Sequence, residues 1–296
     1  METDVVIIGC GPAGLQAAIH AARAKVSVAV VGKIAGSAAY GVKMENYFGL
    51  PEASDGTELI MNGIRQAKSF GAEIFEGNVV SASPEGKGFR ISLETGADID
   101  AKAVVIASGV SRVKLNVPGE KEFFGKGVSY CASCDCNFYK GRTVMIVGSQ
   151  SEAALSAELM TRYASKVYWA SADLDVDPSL LERAVSAGAV RVASDVSAIE
   201  GDGKVQAVRM ADGSEIQVDG VFIELGGRSS ANLAMDLGLM PELDDTIKVN
   251  RDCSTEVPGI FACGDITGRP WQLAKAVGEG AVAGLSASSY AKKVAQ

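Results

Sequence analysis

The sequence predicts an α/β protein of two Rossmann-like, three-layer nucleotide-binding domains, and three observations carry that expectation. The chain has 296 residues, enough for about two domains at roughly 150 residues each. It opens on an apolar strand, the turn Gly9-Cys10-Gly11-Pro12-Ala13-Gly14 and an Ala-rich helix, the order that a dinucleotide fingerprint requires. Near the middle, a second apolar strand at 143–147 runs into Gly148 and another helix.

Composition narrows the function classes. Hydrophobic residues make up 47% and charged residues 22%, ordinary values for a soluble enzyme. A net charge of -8 argues against nucleic acid or an anionic membrane as partner. No apolar run reaches the ~18 residues of a spanning helix, and no signal-peptide pattern precedes the first strand, so a cytoplasmic protein is expected. Six cysteines are too few for a disulfide scaffold in a chain of this length, so a cysteine pair here points to catalysis or metal binding. The single histidine, His20, lies in the first helix and removes most zinc sites and Cys/His hydrolase mechanisms.

Taken in order, residues 4–8 form the first strand, 15–24 a helix and 26–31 a second strand. Gly9 permits the tight turn, Gly11 lets a pyrophosphate approach the backbone, Gly14 allows helix and strand to pack, and the helix N-terminus supplies partial positive charge. Gly32 stands where an acidic residue usually takes the ribose hydroxyls. Residues 36–51 are irregular, 54–70 helical and 72–80 a strand, and 85–106 an antiparallel insertion ending in a buried strand before Ala107-Ser108-Gly109. In the second half, 166–170, 190–192, 205–210, 214–218 and 221–225 read as strands and 179–187 as a helix. A buried strand then ends at Gly264-Asp265, where a carboxylate can bind a polyol. The long Ala-rich helix 273–291 is a candidate dimer surface.

Cys131-Ala132-Ser133-Cys134-Asp135-Cys136 opens a helix in the second domain. Two cysteines three apart can close a small reducible disulfide, and a helix N-terminus favours the thiolate that exchange needs. A zinc half-site gives the same spacing, but no metal is expected, because His20 is distant and the other cysteines fall in different elements. Cys136, Cys10, Cys253 and Cys263 read as packing residues.

These motifs together resemble the low-molecular-weight thioredoxin reductases over residues 3–293: the Gly9 to Gly14 fingerprint, Glu45-Asn46-Tyr47, Ala107-Ser108-Gly109, Gly127-Val128-Ser129-Tyr130 before CxxCD, Gly264-Asp265 and Gln272. The resemblance implies a homodimer. It also implies a discontinuous FAD domain, 1–114 with 242–296, and an inserted domain, 115–241, turning on linkers near 113–119 and 226–232. The residues that it places around FAD are Gly9, Gly11, Pro12, Ala13, Gly14, Gly36, Ser37, Asn46, Ala107, Gly109, Gly264, Asp265, Gln272 and Leu273. It implies that electrons pass from the flavin to a Cys131/Cys134 disulfide, with Cys134 facing the flavin, and that Cys131 attacks the disulfide of thioredoxin. Asp135 is then the general acid and base, since a carboxylate beside a nascent thiolate suits proton shuttling.

The inserted domain departs from that pattern. Its second fingerprint reads Gly148-Ser149-Gln150-Ser151-Glu152-Ala153, with a side chain in place of the middle glycine and an acid at the helix N-terminus. Both disfavour a pyrophosphate. The next strand ends in Ser171-Ala172-Asp173-Leu174-Asp175-Val176-Asp177, where NADPH-using members carry arginines for the 2′-phosphate. NADPH is therefore doubtful, and the chain resembles the atypical members that take electrons from a reduced deazaflavin or from ferredoxin. Arg269-Pro270-Trp271 could hold a planar deazaflavin. Three other readings stay open: an NAD(P)H-dependent reductase with an atypical site, a flavin-dependent dithiol oxidase using oxygen, and a redox sensor.

Overall fold

The computed structural model describes residues 1–50, 52–109, 114–225, 230–242 and 245–294, the side chains of Cys134 and Ala231 excepted. The chain divides into two compact units, Met1–Ser111 with Ser230–Gln296, and Arg112–Ser229.

The first unit begins with β1 (Glu2–Ile8), α1 (Pro12–Arg23), β2 (Val28–Val31), β3 (Lys43–Met44), β4 (Ser54–Asp55), α2 (Gly56–Ser69), β5 (Glu73–Phe75), β6 (Val79–Glu85), β7 (Gly88–Leu93) and β8 (Asp98–Ile106). The second unit follows with β9 (Val128–Ser129), α3 (Ala132–Asp135), β10 (Thr143–Val147), α4 (Ser151–Met160), β11 (Lys166–Ala170), α5 (Pro178–Ser186), β12 (Val190–Val192), β13 (Val196–Gly201), β14 (Val205–Met210), β15 (Glu215–Gln217) and β16 (Gly220–Ile223). The chain then returns to the first unit through α6 (Ser230–Asp236), β17 (Ile260–Ala262) and α7 (Leu273–Val294).

In the first unit a seven-stranded sheet runs β5-β2-β1-β8-β7-β6, with β17 also paired to β8. β1 lies parallel to both neighbours, Ile8 aligning with Val31 and with Ile106, which brings three strand C-termini to one edge. Because side chains alternate along a strand, β1 is buried on both faces. Val5 and Ile7 pack with α1 and α7 residues such as Ala17, Ala18 and Ala283. Val6 and Ile8 pack with Leu233 of α6 and with Leu237 directly after it.

The α1 and α7 backbones approach closely because two glycines face two carbonyls. A Cβ on Gly280 would stand 2.2 Å from the Ala13 carbonyl oxygen, and one on Gly284 would stand 2.3 Å from that of Ala17. A side chain at either position would force the helices apart.

The second unit has a five-stranded parallel sheet, β12-β11-β10-β16-β9, and a three-stranded antiparallel sheet, β13-β14-β15. Trp169 on β11 is fully buried, with its indole N–H donated to the Gly148 carbonyl at 2.8 Å.

Several expectations are corrected. The chain rejoins the first unit at Ser230, not 242, because α6 puts Leu233 into that unit's core and Leu237, directly after the helix, joins it. The strand expected over 72–80 is two strands broken at Gly77, whose φ is +156°. Its first half pairs parallel with β2 and its second antiparallel with β7. The helix expected to open at the cysteines is a single turn, α3, continued as a 3-10 turn over Cys136–Tyr139. Of the expected linkers, 113 and 226–229 lie outside the described residues. No helix among the described residues is long and apolar enough to cross a membrane.

Candidate active site

In the first unit, the residues singled out in the sequence gather at the C-terminal edge of the parallel strands. Gly9 follows β1 with φ +127°, and a Cβ there would stand 2.2 Å from the Ala107 carbonyl oxygen, so the fingerprint turn and the Ala107 turn interlock. A Cβ on Gly14 would meet the Gly9 carbonyl oxygen at 1.9 Å. Gly11 differs. Beyond its chain neighbours, a Cβ there would find only the Ser37 side chain, whose Oγ lies at 3.3 Å, and the space above this backbone is open on its other sides.

Pro12 starts α1, where its missing N–H costs nothing. Gly36 closes a short 3-10 turn over Ile34–Gly36 next to Ser37. Gly32 carries no acid for a steric reason: a Cβ there would come within 2.8 Å of the Cys10 nitrogen.

Other elements meet this edge. Ser108 Oγ lies 2.6 Å from Ser230 Oγ, and Ser230 also reaches the Gly109 carbonyl oxygen. The Cys263 N–H donates to the Ile106 carbonyl at 3.0 Å, which places Gly264 and Asp265 beside Ala107. A Cβ on Gly264 would stand 2.8 Å from Ala13 Cβ. Asn46 Nδ2 donates to Gln272 Oε1 at 3.1 Å, bringing the irregular segment to the start of α7 at Leu273.

A half-buried network holds the Gly264-Asp265 turn, and the sequence reading missed it. Glu279 Oε2 accepts the Gly264 N–H at 2.9 Å and the Thr267 hydroxyl at 2.7 Å, while Lys275 Nζ donates to the Gly264 carbonyl at 2.8 Å. Lys275 and Glu279 are an i,i+4 pair on α7, which was the available signal. Burial raises the Asp265 carboxyl above its ordinary range, with Lys275 opposing and Glu279 adding. At the end of this edge, the Arg269 guanidinium stacks 4.3 Å over Trp271, an exposed ring.

Among the described residues, four cysteines are free and buried: Cys10, Cys136, Cys253 and Cys263. Burial pushes the Cys10 thiol up to about 12, with Glu76 adding, and the Cys253 thiol up to about 11, with Glu279 and Asp252 adding. Cys131 is disulfide-bonded. The side chain of Cys134 lies outside the described residues, although its backbone belongs to α3.

The turn around Cys131 is closely braced. The Cys131 N–H donates to Ser129 Oγ at 3.0 Å and the Asp135 N–H to the Cys131 carbonyl at 3.2 Å, while Cys131 Sγ lies 3.4 Å from Ser133 Oγ. The Ala132 N–H donates to Glu224 Oε1 at 2.7 Å from the end of β16. Glu120 is buried and accepts from the Leu115 N–H, the Asn116 N–H and the Tyr130 hydroxyl at 2.9, 2.5 and 2.7 Å. Neither glutamate follows from local sequence. Asp135 and Tyr139 are electrostatic neighbours, and burial raises the Tyr139 hydroxyl, with Asp135 and Asp219 adding. Among the described residues, no three His, Cys, Asp or Glu side chains are placed to hold a metal.

The second fingerprint is closed by its own side chains. Gln150 Nε2 donates to Asp175 Oδ2 at 2.9 Å, and the Asp175 N–H donates to the Ser149 carbonyl at 2.8 Å. Glu152 is buried in the first turn of α4. The three aspartates expected to repel a 2′-phosphate have separate jobs. Asp175 ties the loop, the Asp173 carbonyl accepts the Ser171 hydroxyl, and Asp177 caps α5 by accepting from the Ser179 N–H at 2.9 Å. Arg191 stands at this strand end, but its guanidinium lies 4.9 Å over Trp169 and donates to the Trp169 and Ser171 carbonyls.

A glycine-turn cradle on a parallel sheet and a disulfide-bonded cysteine on a second parallel-sheet unit define a two-domain disulfide oxidoreductase. The pyridine nucleotide-disulphide oxidoreductase family matches residues 3–280. The thioredoxin reductase of Aquifex aeolicus is 36% identical over 275 residues, 89% of this chain and 85% of that protein. Among solved structures, the atypical thioredoxin reductase TRi of Desulfovibrio vulgaris Hildenborough is 37% identical, covers 98% of each chain and has a TM-score of 0.82. The ferredoxin-flavin thioredoxin reductase of Clostridium acetobutylicum is 32% identical over 99% of this chain and 98% of its own, with a TM-score of 0.66. The chain belongs to the thioredoxin reductase family of pyridine nucleotide-disulphide oxidoreductases and is an oxidoreductase.

Proposed function

We propose that this protein is an FAD-dependent thioredoxin-disulfide reductase whose electrons come from a donor other than NADPH, either a reduced deazaflavin or ferredoxin. The observation that supports the donor assignment is the Gln150 to Asp175 hydrogen bond, which fills the crevice where a dinucleotide pyrophosphate would need bare backbone. The buried Glu152 carboxylate adds a charge that opposes a phosphate at the same helix end.

FAD fits the first unit on different grounds. The open backbone at Gly11 contrasts with the filled surroundings of Gly9 and Gly14, as a pyrophosphate site requires. Gly9, Gly11, Pro12, Ala13, Gly14, Gly36, Ser37, Asn46, Ala107, Gly109, Gly264, Asp265, Gln272 and Leu273 are assigned to it. When bound, FAD supplies a two-electron carrier. The exposed Arg269 and Trp271 pair is a stacking surface for a planar donor.

At the redox turn, Cys131 is assigned as the thiol that attacks the disulfide of thioredoxin, and Asp135 as the group that takes its proton and returns it to the leaving thiol. Cys134 then displaces the second thioredoxin sulfur, closing the pair again. A homodimer follows the family expectation, and the exposed Val282 and Leu285 on α7 provide apolar surface for it.

Anaerobic turnover tests this assignment. Photoreduced deazaflavin should drive thioredoxin reduction that Cys131→Ser and Cys134→Ser each abolish and Asp135→Asn slows at least tenfold. Full turnover by Cys131→Ser would refute it.

A further inference from the structure

The strongest unassigned feature of the molecule is a buried carboxylate beneath the redox turn. Glu224 follows β16, its N–H is donated to the Val147 carbonyl at 2.8 Å, and its side chain is 3% exposed. Its Oε1 accepts the N–H of Ala132, which is fully buried. Ala132 is the first residue of α3 and the immediate neighbour of Cys131.

This reverses the usual arrangement at a CxxC turn. Backbone N–H groups at the start of such a turn ordinarily stabilise the thiolate of the first cysteine and make it acidic. Here the Ala132 N–H is bound to the Glu224 carboxyl group and withheld from the Cys131 sulfur; accepting that N–H favours the ionised form, whose negative charge has a long reach in a buried setting. Ser129 Oγ occupies the Cys131 N–H in the same way, but without charge. Other charged or titratable groups surround the turn: Asp135 on α3, Cys136 and Tyr139 on the 3-10 turn, Tyr130 before it, and Glu152 on α4. A cavity opened by Ser133 is lined further by Glu158, Arg162 and Arg183, in which Glu158 pairs with both arginines.

We propose that Glu224 is a positioning residue that holds the redox turn through Ala132 and keeps reduced Cys131 protonated at neutral pH, leaving its deprotonation to Asp135. The inference rests on Cys131 being the exchanging thiol, as assigned above. Removing the negative charge while keeping an acceptor should therefore make Cys131 more acidic.

The test is iodoacetamide alkylation of the anaerobically reduced, flavin-loaded protein from pH 5 to 10, with Cys131 followed by peptide mass. Glu224→Gln should lower the midpoint of the alkylation profile by about one unit, raising the Cys131 rate about tenfold below both midpoints. Glu224→Asp, which restores the charge, should return the profile toward the parent. An unchanged midpoint in a folded Glu224→Gln protein overturns the proposal. If that variant does not fold, hydrogen exchange of the Ala132 amide in the parent decides: strong protection in both redox states is expected, and exchange as fast as that of exposed amides overturns the holding role. Alkylation reads thiol acidity without turnover, so it is separable from failure of the reductase assignment, which thioredoxin turnover measures.

Discussion

Gln150 donates its side-chain amide to the Asp175 carboxylate at 2.9 Å, joining the fingerprint loop to the loop after β11. In a dinucleotide-binding domain these loops flank the cofactor, one at the pyrophosphate and the other at the ribose. Opening the link should restore part of that site. The triple variant Gln150→Gly, Glu152→Ala, Asp175→Arg is expected to bind NADPH at least tenfold more tightly than the parent, read by quenching of Trp169 or by calorimetry. Equal, weak binding by both proteins would place the obstacle elsewhere.

Glu120 ties residues 115 and 116 to Tyr130, directly before Cys131. Tyr130→Phe removes one bond to a carboxylate and should cost about 1.5 kcal/mol. Glu120→Ala leaves three half-buried donors without their acceptor and should cost about 3 kcal/mol. Urea midpoints check both, and equal losses would contradict the three-way bracing.

Lys275 and Glu279 hold the Gly264 turn from both of its backbone groups. Lys275→Met should destabilise the protein by about 2 kcal/mol and weaken FAD retention, measured by flavin release in dilute urea. Retention equal to the parent would remove the network's role in the cradle.

Asp265 gives a pH signature. Burial raises its folded carboxyl value, so the folded chain keeps a proton that the unfolded chain releases above about pH 3.9. That contribution is complete below the unfolded value and declines as pH rises through the folded one. In flavin-free protein, Asp265→Asn should therefore gain stability relative to the parent as pH rises above about 4. A constant difference in urea midpoint would contradict this.

Much of the molecule was legible in local sequence. The fingerprint at Gly9 to Gly14, the turns at Ala107 and Gly264, and the side chain at Gln150 all act where they stand in the chain, through backbone space or strand ends. What escaped acts across the fold. Glu224 reaches Ala132 across 92 positions, and Gln150 meets Asp175 across 25. The charge of Asp177 is visible in sequence, whereas its further role as the cap of α5 depends on the start of that helix. The break at Gly77 was hidden because both half-strands are β-prone, and only their different partners separate them.

The buried thiols yield a count. At pH 8 the native, unreduced protein should take up no iodoacetamide, and unfolding without reductant should release the four free cysteines. Burial of all four, with the raised thiols of Cys10, Cys253 and Cys263, predicts this silence, and alkylation of any of them in the native state would contradict it.

The central claim concerns the electron source, and parallel anaerobic titrations of the bound flavin test it most directly. NADPH, NADH, photoreduced deazaflavin and reduced ferredoxin are each added, and bleaching of the flavin absorbance is followed. NADPH at millimolar concentration should leave the flavin oxidised over minutes, while deazaflavin or ferredoxin bleaches it fast enough for thioredoxin turnover. Rapid, complete bleaching by NADPH would contradict the reading of Gln150, Glu152 and Asp175 as a closed site.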